Sequence, residues 1–168
     1  MERVNKKTNF EKVVEFNKSF GVPVSDTPLK NVVVENPTLT KLRLDLILEE
    51  TKELADAVRE NDFVEIVDAL ADILYVVYGA GTSFGIDLDR AFDIVHRSNM
   101  TKLCKTEEIA RETVESYRTK YEAGTSPYDS PVYRRSDDGV NWVVYNESTG
   151  KVLKSIHYTP ANFSELLD

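Results

Sequence analysis

LRLDLILEETKELADAVREND-FVEIVDALADILYVVY, residues 42–78, decides the fold. Residues 39–60 hold no glycine or proline and read as one long helix. Asn61 and Asp62 interrupt it, and Asp62 is placed to cap a second helix over 63–80. On the first helix, at about 100° per residue, Leu42, Leu46, Glu49, Glu50, Glu53 and Ala57 fall in one arc. Three carboxylates thus continue a stripe begun by two leucines, a stripe that acids avoid on an ordinary surface helix. On the second helix Glu65, Asp68 and Asp72 share a narrower arc, and Asp72 is the only charge between Ala69 and Ala80. Such apolar surroundings predict a buried Asp72, and a buried carboxylate is costly unless it is paired or metal-bound. Acids from two neighbouring helices present the all-oxygen ligand set of a hard cation, magnesium or manganese.

Outward from this pair, residues 9–20 predict a short helix ended by Gly21. Pro23, Pro28 and Pro37 make 21–38 an extended, irregular connection, and Gly79, Gly81 and Gly85 loosen the end of the second long helix. Asp87 caps a helix over about 88–97, and Thr106 with Glu108 opens another through about Tyr121. After Gly124 the pattern changes to strands around an Asp-Gly turn: 132–135, 142–145 and 151–154. The expected architecture is mainly α, a bundle of four to five helices with a small C-terminal β-hairpin appendage. Too few strands are present for independent stability, so the appendage packs on the helical body or on a second subunit, using Trp142, Tyr145 and Tyr158.

Composition narrows the function. Of 168 residues, 21 are basic and 29 acidic, a net charge of −8 that argues against nucleic acid as the main partner. No apolar run reaches the roughly 18 residues of a membrane span, and the N-terminus has no apolar signal core. One cysteine, Cys104, forms no internal disulfide, and with His96 and His157 it makes no zinc site; a cytoplasmic location is expected. Phosphate-binding glycine loops and the nucleophile elbow are absent, so phosphates would be handled by metal and side chains. Asp93-x-x-His96 has di-iron spacing, but that chemistry needs two such pairs. Two stretches carry cations without acids: Arg97, Lys102 and Lys105, then Lys151, Lys154 and His157. In an acidic chain these are places to hold anionic phosphates.

Three segments carry a resemblance. Leu-Glu-Glu-Thr-Lys-Glu-Leu-Ala-Asp-Ala (48–57) resembles the Glu-Glu-x-x-Glu motif of the all-α nucleoside triphosphate pyrophosphohydrolases. That superfamily includes MazG-like enzymes, dimeric dUTPases, dCTP pyrophosphatases and phosphoribosyl-ATP pyrophosphohydrolase. Val-Asp-Ala-Leu-Ala-Asp-Ile-Leu-Tyr-Val-Val-Tyr-Gly (67–79) resembles its second metal helix, and His-Arg-Ser-Asn-Met-Thr-Lys (96–102) its later nucleotide-facing segment. The usual second motif is Glu-x-x-Asp; with its Asp on Asp72, Ala69 stands where the Glu belongs. Asp68, four residues before Asp72, can take that place; the other alignment is Glu65-x-x-Asp68.

The resemblance implies a core over 1–105 and a C-terminal extension over 106–168. It implies hydrolysis of nucleoside triphosphates, dNTPs among them, to monophosphate and pyrophosphate, for housecleaning or nucleotide-pool control. Glu50, Glu53, Asp68 and Asp72 would hold Mg²⁺ or Mn²⁺, and Glu49 would orient or deprotonate the water. Asn99, Lys102 and Arg97 would contact the nucleotide. The extension lies outside the shared core; it is expected to close over the substrate, with Lys154 and Tyr158 as contacts. A homodimer or a dimer of dimers is expected. The competing expectation is a non-catalytic helical protein that binds nucleotide or metal.

Overall fold

The computed structural model describes residues 6–167. It is mainly helical, with helices α1 (Asn9–Ser19), α2 (Val32–Glu35), α3 (Pro37–Glu60), α4 (Phe63–Phe84), α5 (Leu88–Met100) and α6 (Glu107–Glu122). Strands β1 (Pro131–Arg135) and β2 (Trp142–Asn146) form one antiparallel pair. The described residues divide into two compact units, one of residues 6–92 with 163–167 and the other of 93–162. The division falls within α5. Cys104 bridges to Trp142 and is fully buried in the core of the second unit.

In the first unit α3 and α4 form an antiparallel hairpin with α1 packed on α4. Side chains and turns close the helix ends, Asp62 among them as expected. Thr8 and Glu11 close a reciprocal capping box on α1. The Asp62 carboxylate accepts from the Val64 and Glu65 backbone amides at 3.0 and 3.2 Å. Asn61 takes the left-handed turn (φ 56°) that ends α3.

Two local expectations are corrected here. The 21–38 connection contains a helical turn, α2, because Val32 is buried and its carbonyl is held by Thr40 Oγ1 at 3.2 Å. The glycines near the end of α4 tighten rather than loosen it, and the helix runs four residues further, to Phe84. A Cβ on Gly81 would stand 2.6 Å from Leu88 Cγ, and one on Gly79 would stand 3.1 Å from Arg43 Nη1. Both glycines are contact points of helix packing. Gly85 (φ +73°) then stops the helix.

In the second unit α6 lies over the β-hairpin. Cys104, Ala110, Val114, Val144 and Leu153 form the core, flanked by Tyr117, Tyr128, Tyr133 and Trp142. Register runs from Pro131 opposite Asn146 to Arg135 opposite Trp142. The expected third strand at 151–154 is reduced to a single bridge, Val152 to Tyr145. Beyond Leu153 the chain leaves the sheet, drawn away by Ser155, which is buried, and by Ile156, whose amide donates to Thr113 Oγ1 at 3.2 Å.

Candidate active site

Within the first unit, α3 and α4 bring the acids of their facing surfaces together around Glu50. Glu50 is half-buried, and its Oε2 is closed off from solvent with no hydrogen-bond partner among the described residues. Burial pushes its carboxyl above the usual 4.5, and the charges of Glu53, Asp72, Glu49 and Asp68 push it further the same way. The five acids therefore share one electrostatic neighbourhood. Among the described residues none of the five forms an ion pair with a lysine or arginine, although Asp45 and Asp56 on the same helix do.

Asp68, common to both alignments of the second motif, and Asp72 are among the charges that raise the Glu50 carboxyl. Glu65 lines a shallow cleft on α4 with Phe63, Val64 and Asp68.

Asp72 corrects an expectation: it is exposed. The prediction of burial assumed that an apolar helix is covered on all sides. In the single chain α3 and α1 cover α4 only in part, and Val64, Val67, Leu70 and Leu74 on α4 remain open to solvent. Glu49, Glu53 and Asp68 are exposed as well.

The donor set fits a hard divalent cation. Four exposed carboxylates surround Glu50, whose Oε2 is buried with no hydrogen-bond partner among the described residues; a cation would supply the positive charge there. Among the described residues no three such side chains already stand in coordinating geometry. Mutual repulsion of uncompensated carboxylates favours that separation.

The remaining residues named from sequence lie in the second unit. Arg97 borders a small cleft of about 290 Å³ with Ser98, Thr101 and Thr159. Asn99 is exposed and its carbonyl accepts from the Lys102 amide at 3.1 Å. Tyr158 meets Ser98 Oγ at 3.1 Å, and the Lys154 ammonium sits 4.5 Å from the centre of the Tyr158 ring. Lys151 is likewise engaged, 5.1 Å from the Tyr128 ring centre. These two cations thus stack on aromatic faces of their own unit. Sequence reading did not anticipate Arg43, a buried guanidinium on α3 that forms no ion pair among the described residues. An arginine at the start of a leucine-rich helix stripe (Leu39, Leu42, Leu46) was the available signal.

The family model described as phosphoribosyl-ATP pyrophosphohydrolase matches residues 13–99. That span runs from α1 through nearly all of α5 and includes the five clustered acids, Arg97 and Asn99. An uncharacterized protein of Acanthamoeba polyphaga mimivirus is 34% identical to the chain, with 97% of each chain covered, so the similarity extends through the hairpin unit.

Proposed function

The chain belongs to the phosphoribosyl-ATP pyrophosphohydrolase family, an all-α family of pyrophosphohydrolases, and on that premise we propose that it cleaves nucleoside triphosphates, dNTPs included, to monophosphate and pyrophosphate with the help of Mg²⁺ or Mn²⁺. The observation that carries the proposal is Glu50 Oε2, a buried acceptor without a partner among four other carboxylates. Glu50, Glu53, Asp68 and Asp72 would hold the cation. When bound, it supplies charge neutralisation at phosphate oxygens and acidifies water. Glu49, exposed beside this group, orients the attacking water and takes its proton. The water oxygen then bonds to the α-phosphorus, the bond from that phosphorus to the bridging oxygen breaks, and pyrophosphate leaves. Asn99, Lys102 and Arg97 are the proposed nucleotide contacts, with Lys154 and Tyr158 in support.

The uncovered apolar residues of α4 support assembly as a homodimer or a dimer of dimers. Among the described residues no helix is long and apolar enough to cross a membrane, and Cys104 is a free thiol; both suit the cytoplasmic role in nucleotide housecleaning or pool control that we propose. The test is pyrophosphate release from a panel of nucleoside triphosphates with Mg²⁺, with Mn²⁺ and with chelator. Metal-dependent release that Glu50→Gln abolishes is the expected result. Binding of nucleotide without release from any member of the panel would favour the silent binding protein.

A further inference from the structure

The second unit carries a cleft that the pyrophosphohydrolase reading does not use. It measures about 630 Å³, and its wall includes Met100, Leu103, Lys105, Ile109, Asn141 and His157. This is inside the range of about 300–1,000 Å³ usual for small-molecule sites.

The bridge between Cys104 and Trp142 builds it. The Cys104 amide donates to the Trp142 carbonyl at 2.9 Å and the Trp142 amide to the Cys104 carbonyl at 2.8 Å. In an antiparallel register this sets Lys105 opposite Asn141, both on the same side of the bridge. The far wall is fixed as well. The His157 amide donates to Ser155 Oγ at 3.2 Å and the Thr159 amide to Thr101 Oγ1 at 2.9 Å. A cleft held by such bonds is ready before any ligand arrives.

Its chemistry is specific. Met100, Leu103 and Ile109 offer an apolar surface on which a flat ring can lie. The Asn141 side-chain amide makes no hydrogen bond to any described residue, although its backbone is fully engaged with Ser136. An unused amide can donate and accept along the edge of a heterocycle, most completely along that of adenine. Lys105 forms no ion pair among the described residues, His157 shares the wall, and no lining residue is acidic. Together these provide for an anion.

We propose that this cleft binds a nucleoside monophosphate, with the base on the Met100, Leu103 and Ile109 surface, its edge on Asn141 and its phosphate on Lys105 and His157. The site uses neither the acids around Glu50 nor a metal, so it stands or falls apart from the reaction proposed above.

The experiment is calorimetric titration of the full chain in chelator with AMP, adenosine and inorganic phosphate in turn. Expected is one saturable AMP site per chain, weakened about tenfold or more by Lys105→Ala and by Asn141→Ala. Lys105→Arg should restore most of the affinity, and Glu50→Gln should leave it unchanged. Fluorescence of Trp142, the sole tryptophan and the neighbour of Asn141, reports whether each variant keeps its fold. No AMP binding overturns the proposal. So does AMP binding that both variants leave intact, or that Glu50→Gln removes. Phosphate binding as tightly as AMP would overturn the base contact and with it the assignment to a nucleotide.

Discussion

The guanidinium of Arg43 lies against Gly79: a Cβ at that glycine would stand 3.1 Å from Arg43 Nη1. Arg43 is only 6% exposed, its Nη2 donates to Ser83 Oγ at 2.6 Å, and its Nε has no partner among the described residues. Burial holds its pKa below the ordinary value. The absence of a methyl on α4 is thus what admits a cation between α3 and α4. Ser83 in turn donates to the Pro23 carbonyl at 2.8 Å, tying the proline-rich connection to the hairpin.

This contact predicts a difference between two glycines of one helix. Alanine gains about 1 kcal/mol over glycine in a helix interior. At Gly81 that gain is outweighed, because the new Cβ would meet Leu88 at 2.6 Å and the Ile86 carbonyl at 3.0 Å. Gly81→Ala should destabilise by about 1–3 kcal/mol in urea unfolding. Gly79→Ala meets only the tip of a long side chain and should fall within about 0.5 kcal/mol of the parent. Combined with Arg43→Met, Gly79→Ala should become stabilising; if it stays neutral there, Arg43 is not what the glycine accommodates.

The acids around Glu50 predict an unusual response to pH. A carboxyl raised in the folded state favours folding most when protonated. Its contribution is full below the ordinary value of 4.5 and is lost as pH rises through the raised folded value. Without metal, the chain should therefore lose stability as pH climbs out of the ordinary carboxylate range. Glu50→Gln should raise the metal-free melting temperature at pH 7 and remove the stabilisation that Mg²⁺ gives the parent. A variant that Mg²⁺ still stabilises to the same extent would exclude Glu50 as a ligand.

Asp129 predicts the opposite slope in the second unit. Hydrogen bonds from Ser148 Oγ (2.6 Å), Asn146 Nδ2 (3.1 Å) and Ser130 Oγ (2.9 Å) hold its pKa down at about 2. The stability this gives is present above the ordinary 3.8 and is lost as pH falls through about 2. Acid titration followed by Trp142 fluorescence should show that loss in the parent, and Asp129→Asn should flatten it. An unchanged acid limb would mean that the cluster around Asn146 holds without the charge.

Kinetics separate the proposed base from the proposed ligands. Glu49→Gln should lower kcat by about 10²–10⁴-fold while leaving Mg²⁺ binding by calorimetry near that of the parent. Asp72→Asn should weaken Mg²⁺ binding and turnover together, since an amide keeps the shape but loses the charge. Equal loss of metal binding in both variants would move Glu49 into the ligand set.

The helix ends and the acid pattern were legible because each is written in local chemistry. Asp62 and Thr106 act within a few residues of themselves, and the spacing of Glu50, Glu53, Asp68 and Asp72 fixes which face each occupies. What escaped depends on contacts remote in sequence. The turn at 32–35 exists because Val32 finds a buried place beside Thr40. Gly79 and Gly81 read as breakers until Arg43 and Leu88 are seen pressed against them. Lys151 and Lys154 read as free cations until Tyr128 and Tyr158 are found beneath them. Asp72 was misplaced for a related reason: apolarity marks a helix for burial without saying what buries it.

That last point carries its own prediction. Val67, Leu70 and Leu74 follow one another at helical spacing on α4 and remain about half exposed, Leu74 at 57%. A substitution at an exposed position of a monomer changes stability by about 0.5 kcal/mol or less. If instead a second copy covers this face, Leu74→Glu places a charge in an apolar interface and splits the assembly. Sedimentation should show the parent as a dimer or tetramer and Leu74→Glu as a monomer. The melting temperature of the parent should rise with protein concentration while that of the variant does not. A parent that sediments as a monomer at all concentrations would leave α4 uncovered and remove the homo-oligomer from the proposed function.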